Sequence, residues 1–293
     1  MPVTAAAQFP VICWFRQDLR LADLPALTAA VATGRPLIAC YVHDEETPGE
    51  LALGAASRWW LHRSLRSLGD DIAALGGQLL LLSGSAATAL AALASATGAS
   101  AIFCTRSHEP WAVTLEAELK RQCAALDVEF KRFPGSLLFE PELVANGEGK
   151  PYKVFTPFWK ACRALHEPSL PQPAPQNIRF FTAAASPLSL EELELTPSSP
   201  DWAAHWQDYW QPGEEGARQA LGRFVADALA DYDQGRNYPA RGATSHLSAH
   251  LHFGEMSPRQ LWYRMREVQA QHPGLGNQVD KFLSELGWRE FSH

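Results

Sequence analysis

The sequence predicts an α/β fold, a parallel sheet with helices on both faces followed by a helical region. Short apolar runs alternate with helix-length stretches across residues 11–135. Those runs are continuously apolar, as strands covered on both faces must be. Ten prolines then punctuate residues 136–200, and a helical pattern starts near residue 201. With 293 residues the chain is long enough for two cores, divided as 1–135, 136–200 and 201–293.

The elements follow in order. Val11–Phe15 reads as a buried strand bounded by the charged Arg16–Arg20, with a helix over about 23–33. Pro36–Val42 is the second strand. A helix over roughly 55–74 carries Trp59, Leu61, Leu65 and Leu68 near one face. Gln78–Leu82 is the third strand, followed by an Ala/Leu-rich helix over 86–97. Ala101–Cys104 and a helix over 111–126 come next, and Val128–Phe133 is the fifth strand. Ligands of such sheets bind at the carboxyl ends of the strands, which points to loops 16–23, 43–54, 83–86 and 105–111.

The connector holds one expected helix near Phe158–Leu165 and otherwise runs over the surface. Beyond it, Trp202, Trp206 and Trp210 fall at i, i+4 and i+8, read as one helical face used for core packing rather than as a cofactor box. Pro212-Gly-Glu-Glu opens a helix. Ser257-Pro258 caps another, and a last helix starts near Asn277 and is expected to run still at His293.

Composition excludes several classes. The net charge of −7 argues against indiscriminate nucleic-acid binding, although a few Arg on one face suffice for a local groove. The five cysteines are odd in number, scattered and without a CxxC pair, which supports neither a disulfide framework nor a zinc site. No segment approaches a membrane span and no signal peptide opens the chain, so it reads as soluble and cytoplasmic. GxGxxG, Walker and serine-hydrolase motifs are absent. His250 and His252, two apart, read as structural or pocket-lining rather than as metal ligands.

Two constellations stand out. Thr244-Ser245-x-Leu247-Ser248 places three hydroxyls at a turn into a helix, which reads either as an anion cradle or as a plain N-cap. Tyr232, Arg236 and Arg241 lie upstream. Downstream, Glu285, Trp288 and Arg289 are i, i+3 and i+4 neighbours expected to share a helix face. A carboxylate, a flat ring and a guanidinium on one face suit a stacked, hydrogen-bonded base beside phosphate; the alternative is an exposed ion pair with a half-buried Trp.

Several blocks occur in an order that resembles the photolyase/cryptochrome family, most closely the bacterial class I cyclobutane pyrimidine dimer photolyases. They are Trp14-Phe-Arg-Gln-Asp-Leu-Arg through Leu27, Glu109-Pro110, Asn146 through Trp159, and Pro212-Gly-Glu-x-x-Ala217. The resemblance implies a Rossmann-like antenna domain over 1–135, an interdomain connector over 136–200, and the N-terminal part of an all-α flavin adenine dinucleotide (FAD) domain over 201–293. It implies that Tyr232, Thr244, Ser245, Leu247, Ser248, Glu285 and Arg289 hold FAD. It places Arg236, Glu285, Trp288 and Arg289 at UV-damaged DNA and its flipped dimer, and Glu109 at an antenna chromophore. The loop Thr105–Glu109 lacks the Asn usual in folate-type members, leaving a folate, a deazaflavin, a second flavin or no antenna open.

The implied reaction is light-driven electron transfer from reduced FAD that splits a cyclobutane pyrimidine dimer, in a monomeric protein. Family members continue beyond residue 293. The resemblance therefore implies an N-terminal part or truncated product, with the electron-relay tryptophans beyond the chain end, no catalytic residue assignable and weak flavin retention. The alternatives are a cryptochrome-like blue-light photoreceptor and a non-catalytic antenna or interaction module.

Overall fold

Alternate residues of the first strand feed different cores. The computed structural model describes residues 9–182, 188–197 and 199–293. Residues 183–187 and 198 of the connector, Pro187 among them, lie outside the described residues. The strands are β1 (Val11–Phe15), β2 (Leu37–His43), β3 (Leu79–Ser83), β4 (Ala101–Thr105) and β5 (Glu129–Phe133). They form one parallel sheet in the order β3-β2-β1-β4-β5. Ile12 sits opposite Ile38 on one side and Ile102 on the other, which fixes the register.

Because side chains alternate across a strand, Val11, Cys13 and Phe15 face one layer while Ile12 and Trp14 face the other. The first layer is helices α1 (Pro25–Ala32) and α2 (Ala55–Ala74), which contribute Leu27, Trp59, Leu61 and Leu65, with Leu24 just before α1. The second is α3 (Ala86–Thr97) and α4 (Pro110–Ala125), which contribute Leu90, Leu115 and Leu119. β5 is the open edge, and its Lys131 and Arg132 disfavour strand-to-strand association there.

The connector stays close to the sheet. Leu37 and Phe180 form a parallel bridge, and the Leu188 N–H donates to the Leu81 carbonyl. Its helix, α5, runs Phe155–Ala164, one turn earlier than expected. Residues 202–210 differ more. They form turns and a single 3-10 turn, Trp206–Asp208, instead of a helix. Pro200 and Pro212 bracket a segment too short to repay helix nucleation, and Pro212 biases Gln211 away from helical geometry. The indoles of Trp206 and Trp210 still pack inward, on α2, while Trp202 lies exposed against Trp206.

The helical region comprises α6 (Glu214–Arg223), α7 (Tyr232–Gly235), α8 (Ser248–His252), α9 (Pro258–Gln271) and α10 (Gly276–Phe291). A π-helical stretch, Phe224–Ala228, follows α6. Ser257 and Gln260 close a reciprocal capping box at α9. α10 stops at Phe291, with Ser292 as its cap, rather than running on at His293. A third core gathers Phe224, Leu229, Tyr232, Trp262, Phe282 and Leu286 between these helices.

Buried charges join the sheet to the helices. Arg20, 1% exposed, donates to the carbonyls of Asp23, Gly135 and Gly254, each at 2.9 Å. Asp23 takes the Arg259 guanidinium (2.7 Å) and the Ser257 hydroxyl, and also accepts from the Gln172 N–H. Gly254 has φ +65°, and a Cβ there would lie 2.1 Å from the Gln17 carbonyl oxygen. Removing one member of a buried ion pair strands the other. Asp23→Ala should therefore lower the unfolding free energy by about 3 kcal/mol in urea denaturation. Arg35→Ala, on the exposed rim, should change it by less than about 0.5 kcal/mol.

Candidate functional site

The order of the strands reverses between β1 and β4, the switch point at which parallel sheets hold ligands. A cavity of about 650 Å³ opens there and extends to α8 and α10. On its sheet side are Trp14 and Arg16 at the end of β1, Asp44 beyond β2, and Thr105 at the end of β4. Arg16 lies 4.4 Å over the Trp14 ring, donates to Glu116 at 2.7 Å and donates to the Thr105 carbonyl. Its Nη1 makes no hydrogen bond, nor do the buried Trp14 Nε1 and Thr105 Oγ1. Trp14, Arg16 and Thr105 thus line the cavity, and each keeps one buried polar atom without a partner, which rearrangement around a ligand could satisfy.

On the helical side the cavity is lined by Tyr232, Ser245, Leu247, Ser248, Glu285 and Arg289. Leu247 is 1% exposed and forms the apolar floor. No side-chain hydrogen bond caps α8; the Ser245 hydroxyl accepts only a long bond from the Leu247 N–H, at 3.4 Å, so the plain N-cap alternative is not met. Glu285 pairs with Arg236 at 2.7 Å and with Lys281 at 3.6 Å. The Arg236 guanidinium also stands 5.7 Å from the Tyr232 ring. The hydrogen bond from Arg236 to Glu285 raises the Arg236 pKa, and burial raises that of the Tyr232 phenol. Tyr232, Arg236 and Glu285 are thus one connected group, with Arg236 behind the cavity wall.

Two expected members sit elsewhere. Thr244 is exposed and lines a second cavity, of about 570 Å³, with Ser245, His246 and His250. Trp288 does not line the cavity that Glu285 and Arg289 reach. An α-helix turns roughly 100° per residue, which sets Trp288 about 60° to one side of Glu285 and away from Arg289 on its other side. Its ring stacks on Phe155 of α5 at 3.9 Å and 10°, and stays 45% exposed. Glu109 lies at the cavity rim as the residue capping α4, without a capping hydrogen bond from its side chain.

Histidines gather at the same rim. His252 and His293 both lie near Glu109 and Arg289, and burial lowers both pKa values. His108 packs edge-on to His293 at 6.1 Å and is lowered by burial as well. His250, by contrast, is buried against Glu255 at 2.5 Å.

Arg289 donates to the Ser136 carbonyl at 2.8 Å, and burial lowers its pKa. Its neighbour Glu290 accepts from the N–H groups of Leu138 (2.7 Å) and Phe139 (3.1 Å), tying α10 to the start of the connector. Burial pushes the Glu290 carboxyl from 4.5 up to about 7, against the opposing pull of Arg289 and the two amides.

Sequence reading pointed to the loops 16–23 and 105–111 that hold Arg16 and Thr105 without singling out either residue, and it missed Trp14. The available signal was their place at the carboxyl ends of β1 and β4, and the unpaired N–H groups are visible only in three dimensions.

The raised Glu290 pKa makes stability pH-dependent. The folded state holds a proton that the unfolded chain has already released between pH 4.5 and about 7. The Glu290 contribution is therefore most favourable below pH 4.5 and is lost as pH rises through about 7. Urea denaturation across this window should show wild type losing roughly 3 kcal/mol relative to Glu290→Gln. Parallel pH profiles for the two proteins would contradict the assignment.

A family model described as DNA photolyase matches residues 11–176. A deoxyribodipyrimidine photo-lyase of Agrobacterium fabrum is 39% identical over 97% of this chain and 58% of its own length. Cryptochrome-1 of Arabidopsis thaliana is 34% identical over 96% of this chain and 42% of its own. The crystal structure of a class III photolyase from Agrobacterium tumefaciens superposes with a TM-score of 0.91 at 37% identity, covering 99% of this chain and 59% of that one. That relative is described as class III, where the motifs pointed to class I. The chain spans less than three fifths of the length of each of these relatives. It belongs to the photolyase/cryptochrome family.

Proposed function

We propose that this chain supplies one wall of an FAD site serving light-driven repair of cyclobutane pyrimidine dimers. The observation that carries this reading is the shared cavity. Tyr232, Ser245, Leu247, Ser248, Glu285 and Arg289, scattered over 58 residues of sequence, converge on one space. Hydroxyls without capping duties and a half-buried guanidinium suit the phosphates and carbonyls of a flavin dinucleotide. When bound, FAD supplies the photochemistry, a one-electron reduction of the lesion under light.

The chain's own residues bind, orient and exclude water. Arg289 offers hydrogen bonds at the cavity wall and is steadied by Ser136 and Glu290. Arg236 holds Glu285 in place, so that its carboxylate keeps one orientation at the wall. Trp288 and Arg236 are proposed as DNA contacts. Stacked on Phe155 and half exposed, Trp288 presents an aromatic edge outside the cavity, suited to an unstacked base. The sheet end of the cavity, with the free N–H groups of Trp14 and Arg16, is proposed for a second planar chromophore bearing acceptor groups. Glu109 at the rim is a further proposed contact.

Cryptochrome relatives support a second reading, a blue-light receptor using the same cofactor. One experiment separates the two. FAD titrated into the purified protein should bind, reversibly and without full co-purification. Arg289→Ala should weaken that binding by about tenfold to a hundredfold, the size expected for a charged hydrogen-bonding partner. Blue light should then remove a pyrimidine dimer from an oligonucleotide only when FAD is present. Binding of FAD with the dimer left intact favours the receptor, and no FAD binding sinks both.

A further inference from the structure

Behind the cavity wall lies a buried carboxylate whose two oxygens do different jobs. Arg289 lines the cavity, and Glu290, the next residue of α10, is 5% exposed and sits behind it. The Arg289 Nη1 donates to Glu290 Oε1 at 3.2 Å and to the Ser136 carbonyl at 2.8 Å. The other carboxylate oxygen is already taken. Oε2 accepts from the Leu138 N–H at 2.7 Å and the Phe139 N–H at 3.1 Å. One side chain therefore holds the connector with one oxygen and the cavity's guanidinium with the other.

This division decides where a proton goes. Two amides occupy Oε2, so a proton taken from water sits on Oε1. There it faces a guanidinium that is itself only a donor, and the charge that attracted Arg289 is gone. Arg289 keeps the Ser136 carbonyl, and its positive charge is left uncompensated at the cavity wall. Burial pushes the Glu290 carboxyl up to about 7, so both forms are populated near neutral pH. The groups packed around it behave differently. Cys162 of α5 has its thiol pushed up to about 12 by burial and stays neutral. Glu140 of the connector pairs with Arg106 at 3.1 Å, and its charge helps to raise Glu290. Further along α10, Glu285 is tied to Arg236. At the rim beside Glu109, His108, His252 and His293 are lowered by burial and gain their protons at more acid pH.

We infer that Glu290 is a positioning residue that couples ligand binding in the cavity to uptake of one proton, by holding Arg289 back when ionised and releasing its charge to the cavity when protonated. The ligand class is anionic. An anion beside Arg289 favours the state in which that charge is uncompensated, so binding draws a proton onto Glu290. Reciprocally, affinity falls as pH rises through about 7. Glu290 itself makes no contact with the ligand. This coupling rests on the reading of the cavity as a dinucleotide site, and FAD is therefore the probe.

Two arms test this. The first needs no ligand. NMR follows the amide signals of Leu138 and Phe139 and the side-chain signal of Arg289 from about pH 5.5 to about pH 8.5. In wild type all three should move in one step with a midpoint at about pH 7. Glu290→Gln keeps an acceptor for the amides and carries no charge. In that variant the step should vanish, with the Arg289 signal fixed at its acid-side position. Amides that titrate while Arg289 does not would overturn the positioning role, and so would three signals with no step near neutral pH. The wild-type titration decides this even if Glu290→Gln fails to fold. In the second arm FAD is titrated into both proteins at about pH 6 and about pH 8, with binding read from flavin fluorescence. The wild-type dissociation constant should rise by about tenfold between the two, the effect of a one-unit pKa change on binding. In Glu290→Gln it should stay near the acid-side value. Equal pH dependence in the two proteins would overturn the coupling and assign it to the rim histidines, which both retain. Absence of FAD binding at either pH overturns the dinucleotide reading and the coupling with it, while the NMR arm still decides whether Glu290 governs Arg289.

Discussion

The arrangement depends on Arg20. Burying a guanidinium is costly unless each N–H finds a partner, and Arg20 finds its partners in chain segments that lie far apart. Its bonds to Asp23, Gly135 and Gly254 bring the turn after β1, the end of β5 and the end of α8 to one point. Asp23 extends that point to α9 through Arg259 and Ser257. With those segments held, the carboxyl ends of β1 and β4 face α8 and α10 across a single cavity. The site is a consequence of how two layers are pinned, and neither layer contains it alone.

A second buried carboxylate works in parallel. Glu255 gathers Trp60 and Ser64 of α2, Gly213 before α6, and His250 of α8. Glu290 does a similar job at the far end of α10, where it holds the connector by two amides. Carboxylates satisfied by backbone N–H groups and neighbouring side chains specify geometry more than they add stability. That geometry is what places Arg289 at the cavity wall and Phe253 against Trp60.

Much of this was legible in the sequence because buried parallel strands and amphipathic helices leave strong patterns. The helices over 55–74 and 86–97 have the bounds their apolar spacing suggested, and the motif residues Tyr232, Ser245, Leu247, Ser248, Glu285 and Arg289 do meet at one cavity. The misreadings have physical causes. Spacing alone made Trp202, Trp206 and Trp210 a helix face, but flanking prolines and packing on α2 decided otherwise. The i, i+3, i+4 spacing put Trp288 on one face with Glu285 and Arg289, but its position on the side of Glu285 away from Arg289 lets it stack on Phe155 outside the cavity. The free N–H groups of Trp14 and Arg16 have no one-dimensional signature, because a missing hydrogen-bond partner is a property of the fold.

The central claim is that one cavity, walled by the sheet's switch point and by α8 and α10, receives the flavin. A crystal structure of the protein soaked with FAD tests it most directly. The account predicts density within that cavity, with the phosphates near Ser245 and Ser248 and the ring system against Glu285 and Arg289. FAD bound only elsewhere on the molecule, with the space between Tyr232 and Arg289 empty at saturating cofactor, would contradict it.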